Sequence, residues 1–104
     1  SDKVLLAAYE AAIVESGVHS LPFGDRDSIG LFQQRDSWGS YEQRMNPVWA
    51  SQQFISRAIR QERAWMTAGQ LAQDVQVSAF PERYDQRQAQ AVSLIATYCS
   101  GGGK

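Results

Sequence analysis

The sequence predicts an all-α fold, and three observations support this prediction. Apolar residues recur at helical spacing near the amino terminus, at Leu5, Tyr9, Ala12 and Ile13. Asn46 followed by Pro47 supplies an N-cap and a proline at the first helical position, a combination typical of a helix start. Finally, no pair of segments with alternating apolar and polar residues indicates neighbouring strands.

The amino-terminal pattern predicts a helix over about residues 3–16. Asp2 is the expected N-cap, and Gly17 is the expected stop. Residues 18–27 contain Pro22, Gly24 and two aspartates, so we expect a loop there. Residues 36–40 are expected to form a turn.

Three further helices follow from cap and break signals. The helix capped by Asn46 should end near Arg60, and its expected inward residues are Val48, Trp49, Gln52, Phe54, Ile55 and Ile59. Thr67 should cap a short helix over 68–75, with Leu71, Ala72 and Val75 inward. A last helix should run from Pro81 or Glu82 to Tyr98, with a core face of Ala91, Leu94, Ile95 and Tyr98.

The composition is that of one domain. The chain has 104 residues, of which 43% are hydrophobic, and a formal net charge of −1. We expect a domain over residues 1–99 and a flexible Gly-rich tail or linker over 100–104, as part of a larger protein in which the domain is monomeric. The single cysteine, Cys99, excludes an intradomain disulfide and is expected to be a small buried hydrophobe. The balanced charge gives no reason to expect a nucleic-acid or membrane partner.

Glu15 is the main catalytic candidate. It lies in the last turn of the first predicted helix, where the macrodipole disfavours negative charge. Apolar neighbours that desolvate it would raise its pKa further, as a general acid requires. The alternative is an ordinary solvated glutamate at a helix end. Glu10 and Glu42 are expected to be solvated in this way.

A motif after Glu15 carries a family resemblance. Glu15-Ser16-Gly17 is followed by Gly24-Asp25-Arg26 and then by Ser28-Ile29-Gly30-Leu31-Phe32-Gln33-Gln34. This series resembles the active-site motifs of lytic transglycosylases and goose-type lysozymes in the lysozyme-like superfamily, and it is most similar to wall-lytic domains of actinobacteria and phages. The resemblance covers about residues 4–84.

The resemblance implies a lysozyme-like fold of about five helices around a substrate groove, with residues 28–34 as a hairpin-like wall. It implies cleavage of the β-1,4 bond between N-acetylmuramic acid and N-acetylglucosamine in peptidoglycan, with Glu15 as general acid and no cofactor. A lytic transglycosylase needs only this glutamate, because the substrate's acetamido and 6-hydroxyl groups complete the reaction. The expected location is extracellular, in the cell wall or on a virion.

Candidate second carboxylates for a hydrolase are Asp25, Asp27 and Asp36, with Asp25 matching the goose-type motif. Each of them could instead close a loop turn. Among expected groove residues, Ser28 and Gln33 match substrate-binding positions of the family; as bare residues they could equally be a turn former and a buried amide that satisfies backbone groups. Gly30 either lets the backbone approach sugar or takes a conformation closed to other residues.

The later part of the chain supplies further groove candidates. Trp38 could stack on a sugar face. Phe80 occupies the place of a family segment that contacts the catalytic glutamate, but Pro81 stands where that segment has asparagine. Tyr84 could supply a hydroxyl to Glu15 instead, or could be a core residue. Leu31, Phe32, Trp49 and Trp65 are expected to be core or packing residues.

Two alternatives stand beside the enzyme. One is a catalytically silent lysozyme-like module that binds glycan or builds a phage tail or secretion assembly; the other is a helical protein-interaction module. No metal site is expected, since His19 is the only histidine and the cysteine is single. We also find no phosphate-binding loop and no Ser-His-Asp set.

Overall fold

The computed structural model describes the backbone of residues 1–102 and the side chains of residues 1–98. Within that range the chain is mostly helical and contains no sheet, which confirms the all-α prediction. The helices are α1 (Asp2–Ser16), α2 (Tyr41–Met45), α3 (Pro47–Gln61), α4 (Ala68–Gln76), α5 (Glu82–Asp85) and α6 (Gln88–Gly102), with a 3₁₀ turn at Asp36–Trp38. None of the described helices is long and apolar enough to span a bilayer.

Helix α1 is the element on which α3, α4, α5 and α6 pack. Its N-cap is Ser1, whose hydroxyl accepts from the backbone N–H of Val4, and the predicted cap Asp2 is instead the first helical residue. Ser1 and Asp2 are both residue types that cap helices. Ser1 serves as the cap, and the residue three positions after it, Val4, is the first buried residue of α1. Gly17 ends the helix as predicted, in the left-handed conformation at φ 64°.

The core is built from small residues of α1 and aromatic residues opposite them. Ala7 and Ala11 are fully buried, and their size lets the neighbouring helices approach closely. The rings of Phe32 and Phe54 stack with their centroids 4.9 Å apart. Phe32 is buried and Leu31 is partly buried against the core, which confirms that prediction.

The predicted inward face of α3 is right for Phe54, which is buried, and for Trp49 and Ile55, which pack partly buried against the core, but it is wrong for the exposed Val48, Gln52 and Ile59. The buried residues are Ala50, Phe54 and Ala58, which lie four positions apart on one line of the helix. Val48 and Ile59 are 66% and 60% exposed. Because Ala50 and Ala58 are small, α3 packs closely along this line, and the larger side chains of Val48 and Ile59 lie in solvent. Trp49 does pack partly buried against the core, whereas Trp65 is 74% exposed.

Helix starts are predicted well where a side chain caps them. Asn46 accepts hydrogen bonds from the N–H groups of Val48 and Trp49, and Pro47 begins α3. Thr67 caps α4 in a reciprocal capping box with Gln70. The expected inward residues of α4, namely Leu71, Ala72 and Val75, are all buried.

The predicted last helix is two helices, because the chain turns at residues 86–87. There the N–H of Arg87 donates to the carbonyl oxygen of Tyr84, three residues back, which closes a tighter turn than an α-helix has. Of the predicted core face, Ala91 is buried, Leu94 and Ile95 are half-buried, and Tyr98 is 61% exposed. Helix α6 continues to Gly102, past its predicted end at Tyr98 and into the predicted tail. The side chain of Cys99 and residues 103–104 of that tail lie outside the described part of the chain.

Residues 21–34 form a loop with two isolated antiparallel bridges, Leu21 to Gly30 and Ile29 to Gln34. These bridges give the hairpin-like segment that was expected. The loop is held by Arg44 of α2, a helix that sequence analysis missed. The buried guanidinium of Arg44 donates to the carbonyl oxygens of Asp27 at 2.7 Å and Gln34 at 3.1 Å.

Candidate active site

A polar cleft of about 470 Å³ lies at the carboxyl end of α1. One wall is the loop over 25–38, and the other is the segment that follows α4. The lining residues are Val14, Glu15, Asp25, Ser28, Gln33, Gln34, Arg35, Trp38, Gln76, Val77, Ser78, Ala79, Phe80 and Arg83. The end of α1 thus places Glu15 between two walls that are distant in sequence.

The side chain of Glu15 is half-buried and is held by Tyr84. The Tyr84 hydroxyl donates to Oε2 of Glu15 at 2.5 Å. Tyr84 itself has no exposed surface, so the rest of its ring is part of the core. Tyr84 is therefore both a core residue and the donor of a hydroxyl hydrogen bond to Glu15.

Burial raises the pKa of Glu15 above its ordinary value. The Tyr84 hydroxyl, the Gln76 amide and the positive charge of Arg83 oppose this rise but do not cancel it. Burial and the neighbouring Glu15 also raise the pKa of Tyr84, so its hydroxyl keeps its proton and remains a donor. The pair has the chemistry of a carboxylic acid held in a fixed orientation beside an open polar cleft.

The cleft brings most of the predicted site residues together. Asp25, Ser28, Gln33, Trp38 and Phe80 line it together with Glu15. Asp25 is exposed, so its carboxylate can reach a bound ligand or water. Tyr84 lies behind Glu15 rather than in the lining.

Asp27 lies outside the lining. Its carboxylate accepts from the Arg35 side chain in an ion pair, and from the backbone N–H of Asp36 at 3.1 Å. The Arg35 guanidinium holds the pKa of Asp27 well below its usual range. These contacts join the two ends of the loop, so the carboxylate has a structural use.

Gly30 also lies outside the lining, packed against α2 rather than against the cleft. Its φ is 87°, and a Cβ added there would overlap the carbonyl oxygen of Arg44. Of the two roles considered for Gly30, the structure shows a conformation closed to other residues. The glycine lets the loop lie directly on α2.

Two aromatic rings of the cleft are each covered by an arginine. The guanidinium carbon of Arg57 lies 3.5 Å from the centroid of a Trp38 ring, and that of Arg83 lies 4.0 Å from the Phe80 centroid. These contacts hold the rings in place at the cleft. Neither arginine was predicted as a site residue, since no motif marks them.

The segment after α4 is fixed by Gln73. Its amide donates to the carbonyl oxygen of Ser78 at 3.0 Å, and its oxygen accepts from the Ser78 hydroxyl at 3.0 Å. Val77 lies between them in the left-handed conformation at φ 51°, and 78% of it is exposed at the cleft. Gln76 ties this wall to the other one, because its amide donates to the carbonyl oxygen of Phe32 at 2.8 Å.

Among the side chains that the structure describes, no three His, Cys, Asp or Glu residues lie together as ligands of a metal ion would. No family model matches the chain, and no curated protein matches it either. The functional argument therefore depends on the motif and on the geometry of the cleft.

Proposed function

We propose that this domain cleaves the glycan strands of peptidoglycan at the β-1,4 bond between N-acetylmuramic acid and N-acetylglucosamine, with Glu15 as the general acid. The reaction is lytic transglycosylation. The observation that carries the proposal is the half-buried Glu15, held by Tyr84 at the edge of the polar cleft. The resemblance of residues 4–84 to lysozyme-like wall-lytic domains supplies the substrate class.

Breaking a glycosidic bond requires a proton on the leaving oxygen while positive charge grows on the sugar ring. Glu15 can supply this proton because burial favours its protonated form. A solvated surface glutamate would be ionised at neutral pH and could not donate. The environment of Glu15 therefore favours catalysis over the alternative of an ordinary helix-end glutamate.

The proposed reaction returns Glu15 to its starting state. Glu15 protonates the leaving oxygen, and the carbonyl oxygen of the muramic acid acetamido group bonds to C1 as the glycosidic bond breaks. The Glu15 carboxylate then takes the proton of the 6-hydroxyl, whose oxygen bonds to C1 and displaces the acetamido oxygen. The product is a 1,6-anhydro sugar, and no water is consumed.

The proposed partner is the peptidoglycan glycan strand, and the proposed location is extracellular, at the wall or on a virion, within a larger protein. The polar lining of the cleft suits a hydroxyl-rich polymer. Trp38 and Phe80 at the cleft add ring faces of the kind on which sugars stack.

The proposal is tested by mass spectrometry of purified peptidoglycan after incubation with the chain. Anhydro-ended fragments are the expected product, and Asp25→Asn should still make them at a rate reduced less than tenfold. Asp74→Asn, at an exposed site of α4, is the matched control.

Two other outcomes contradict the proposal. The first is a hydrolase. It would give reducing-end products, and Asp25→Asn would form them about 10²–10⁴-fold more slowly, as is typical when a catalytic base is lost. Wall binding without any fragments would show a catalytically silent module.

A further inference from the structure

A second polar cavity, of about 350 Å³, adjoins the cleft. It is lined by Ile13, Val14, Arg83, Gln86 and Arg87, and it shares Val14 and Arg83 with the cleft. The two cavities therefore meet at Val14 and Arg83. We call this cavity the arginine pocket.

The arginine pocket has two positive charges and no carboxylate in its lining. The only ion pair among the described side chains joins Arg35 to Asp27, so neither Arg83 nor Arg87 forms one; the carboxyl on which the charge of Arg83 acts is Glu15, in the adjoining cleft. Asp85, which lies between the two arginines in sequence, accepts from the Thr67 hydroxyl at 2.8 Å and from the Gly69 N–H at 3.1 Å. It is thus engaged at the start of α4.

Arg83 is also fixed in place, because its guanidinium lies over the Phe80 ring. A guanidinium whose position is already set loses less side-chain entropy on binding an anion than a free one does. Guanidinium groups match the planar geometry of a carboxylate. The pocket therefore has the positive charge that carboxylate binding requires, and one of its two guanidinium groups is held in place.

We propose that the arginine pocket binds a carboxylate of the peptide that muramic acid carries on its lactyl group, so that the domain prefers glycan strands with charged peptides. This inference rests on the proposed function for its substrate. The peptide branches from the sugar next to the cleaved bond, and the pocket branches from the cleft next to Glu15.

The test measures binding to the Glu15→Gln chain, which cannot cleave its ligand under the proposed function. The probe is a purified peptidoglycan tetrasaccharide with its peptides, either with free carboxylates or with those carboxylates converted to amides. Amidation should weaken binding about fivefold, the size of one exposed ion pair of about 1 kcal/mol. High salt should reduce the difference.

Adding Arg87→Gln should reduce the preference for free carboxylates, because one of the two positive charges of the pocket is lost. Adding Arg60→Gln should retain it, since Arg60 is an exposed α3 residue that lines neither cavity. Equal affinity for the two probes, no affinity for either, or a full preference in the Arg87→Gln chain would overturn the inference.

The proposed function can fail separately. If the wild-type chain leaves peptidoglycan uncut while the charge preference in binding remains, the catalytic proposal is wrong and the pocket assignment stands. If the wild-type chain cuts peptidoglycan but the Glu15→Gln chain binds both probes equally, the pocket assignment alone is wrong.

Discussion

The hydroxyl of Tyr84 and the carboxyl of Glu15 form a 2.5 Å hydrogen bond between residues 69 positions apart in the sequence. Glu15 is in the last turn of α1, and Tyr84 is in the four-residue helix α5. Because the Tyr84 ring is fully buried, core packing fixes the orientation of the carboxyl. The turn at residues 86–87 ends α5, the helix that carries Tyr84 to Glu15.

Tyr84→Phe should raise the pKa of Glu15 further, because the lost hydrogen bond is the largest influence that lowers it. Activity requires protonated Glu15, so it declines as pH rises through the Glu15 pKa. The alkaline side of the pH–rate profile should therefore move to higher pH in this variant. The maximal rate should fall about tenfold because the carboxyl loses its orientation, equivalent to about 1.4 kcal/mol.

Tyr41→Phe, at an exposed tyrosine of α2, is the matched control and should leave the pH–rate profile unchanged. A Tyr84→Phe profile that coincides with the wild type would show that the hydrogen bond does not act on the catalytic proton.

Glu10 is fully buried, so the expectation of a solvated side chain is wrong. Its carboxyl oxygens have no hydrogen-bond partner among the described residues. Burial, and secondarily the negative charge of Asp85, raises the pKa of Glu10 from 4.5 to about 7. Between these two values the folded chain binds more protons than the unfolded chain, so the free energy of unfolding should fall as pH rises from 4.5 to 7.

Glu10→Gln removes this titration and should increase the free energy of unfolding at pH 8 by about 3 kcal/mol, with little change at pH 4. Urea unfolding at the two pH values measures the difference. Glu42→Gln, at an exposed glutamate of α2, should show no such dependence. A Glu10→Gln chain that is less stable than the wild type at pH 8 would contradict the assignment.

Gly30→Ala should be the more costly of two glycine substitutions. Both Gly30 and Gly17 have positive φ, but a Cβ at Gly17 meets only a His19 carbon at 3.8 Å, while one at Gly30 overlaps the Arg44 backbone. Gly17→Ala should cost about 1 kcal/mol of conformational strain, and Gly30→Ala about 3 kcal/mol or more. Thermal unfolding of the two variants gives the comparison, and equal losses would show that α2 moves to accommodate the methyl group.

The sequence predicted those parts of the fold that depend on local interactions. Helix starts at Asn46 and Thr67 follow from side chains that bond to the next few N–H groups, and the stop at Gly17 follows from one left-handed residue. The motif likewise predicted Glu15, Asp25, Ser28 and Gln33, the turn after it suggested Trp38, and the structure brings all of them to one cleft.

Features that depend on distant partners were missed. The face of α3 is set by close packing of Ala50 and Ala58, which a hydrophobicity pattern ranks below Val48 and Ile59. Burial of Glu10 depends on helices that pack on α1 from later in the chain. The arginine pocket combines residues of α1 with residues near the turn between α5 and α6, a turn that the apolar spacing does not reveal.

The most direct test of the central claim is the amount of soluble glycan fragments that Glu15→Gln releases from purified peptidoglycan. We expect the wild-type chain to release them and Glu15→Gln to release none above the level without protein, while its circular dichroism spectrum and unfolding midpoint stay close to those of the wild type. Glu42→Gln should release fragments at the wild-type rate. Release by Glu15→Gln at the wild-type rate would contradict the assignment of Glu15 as the proton donor.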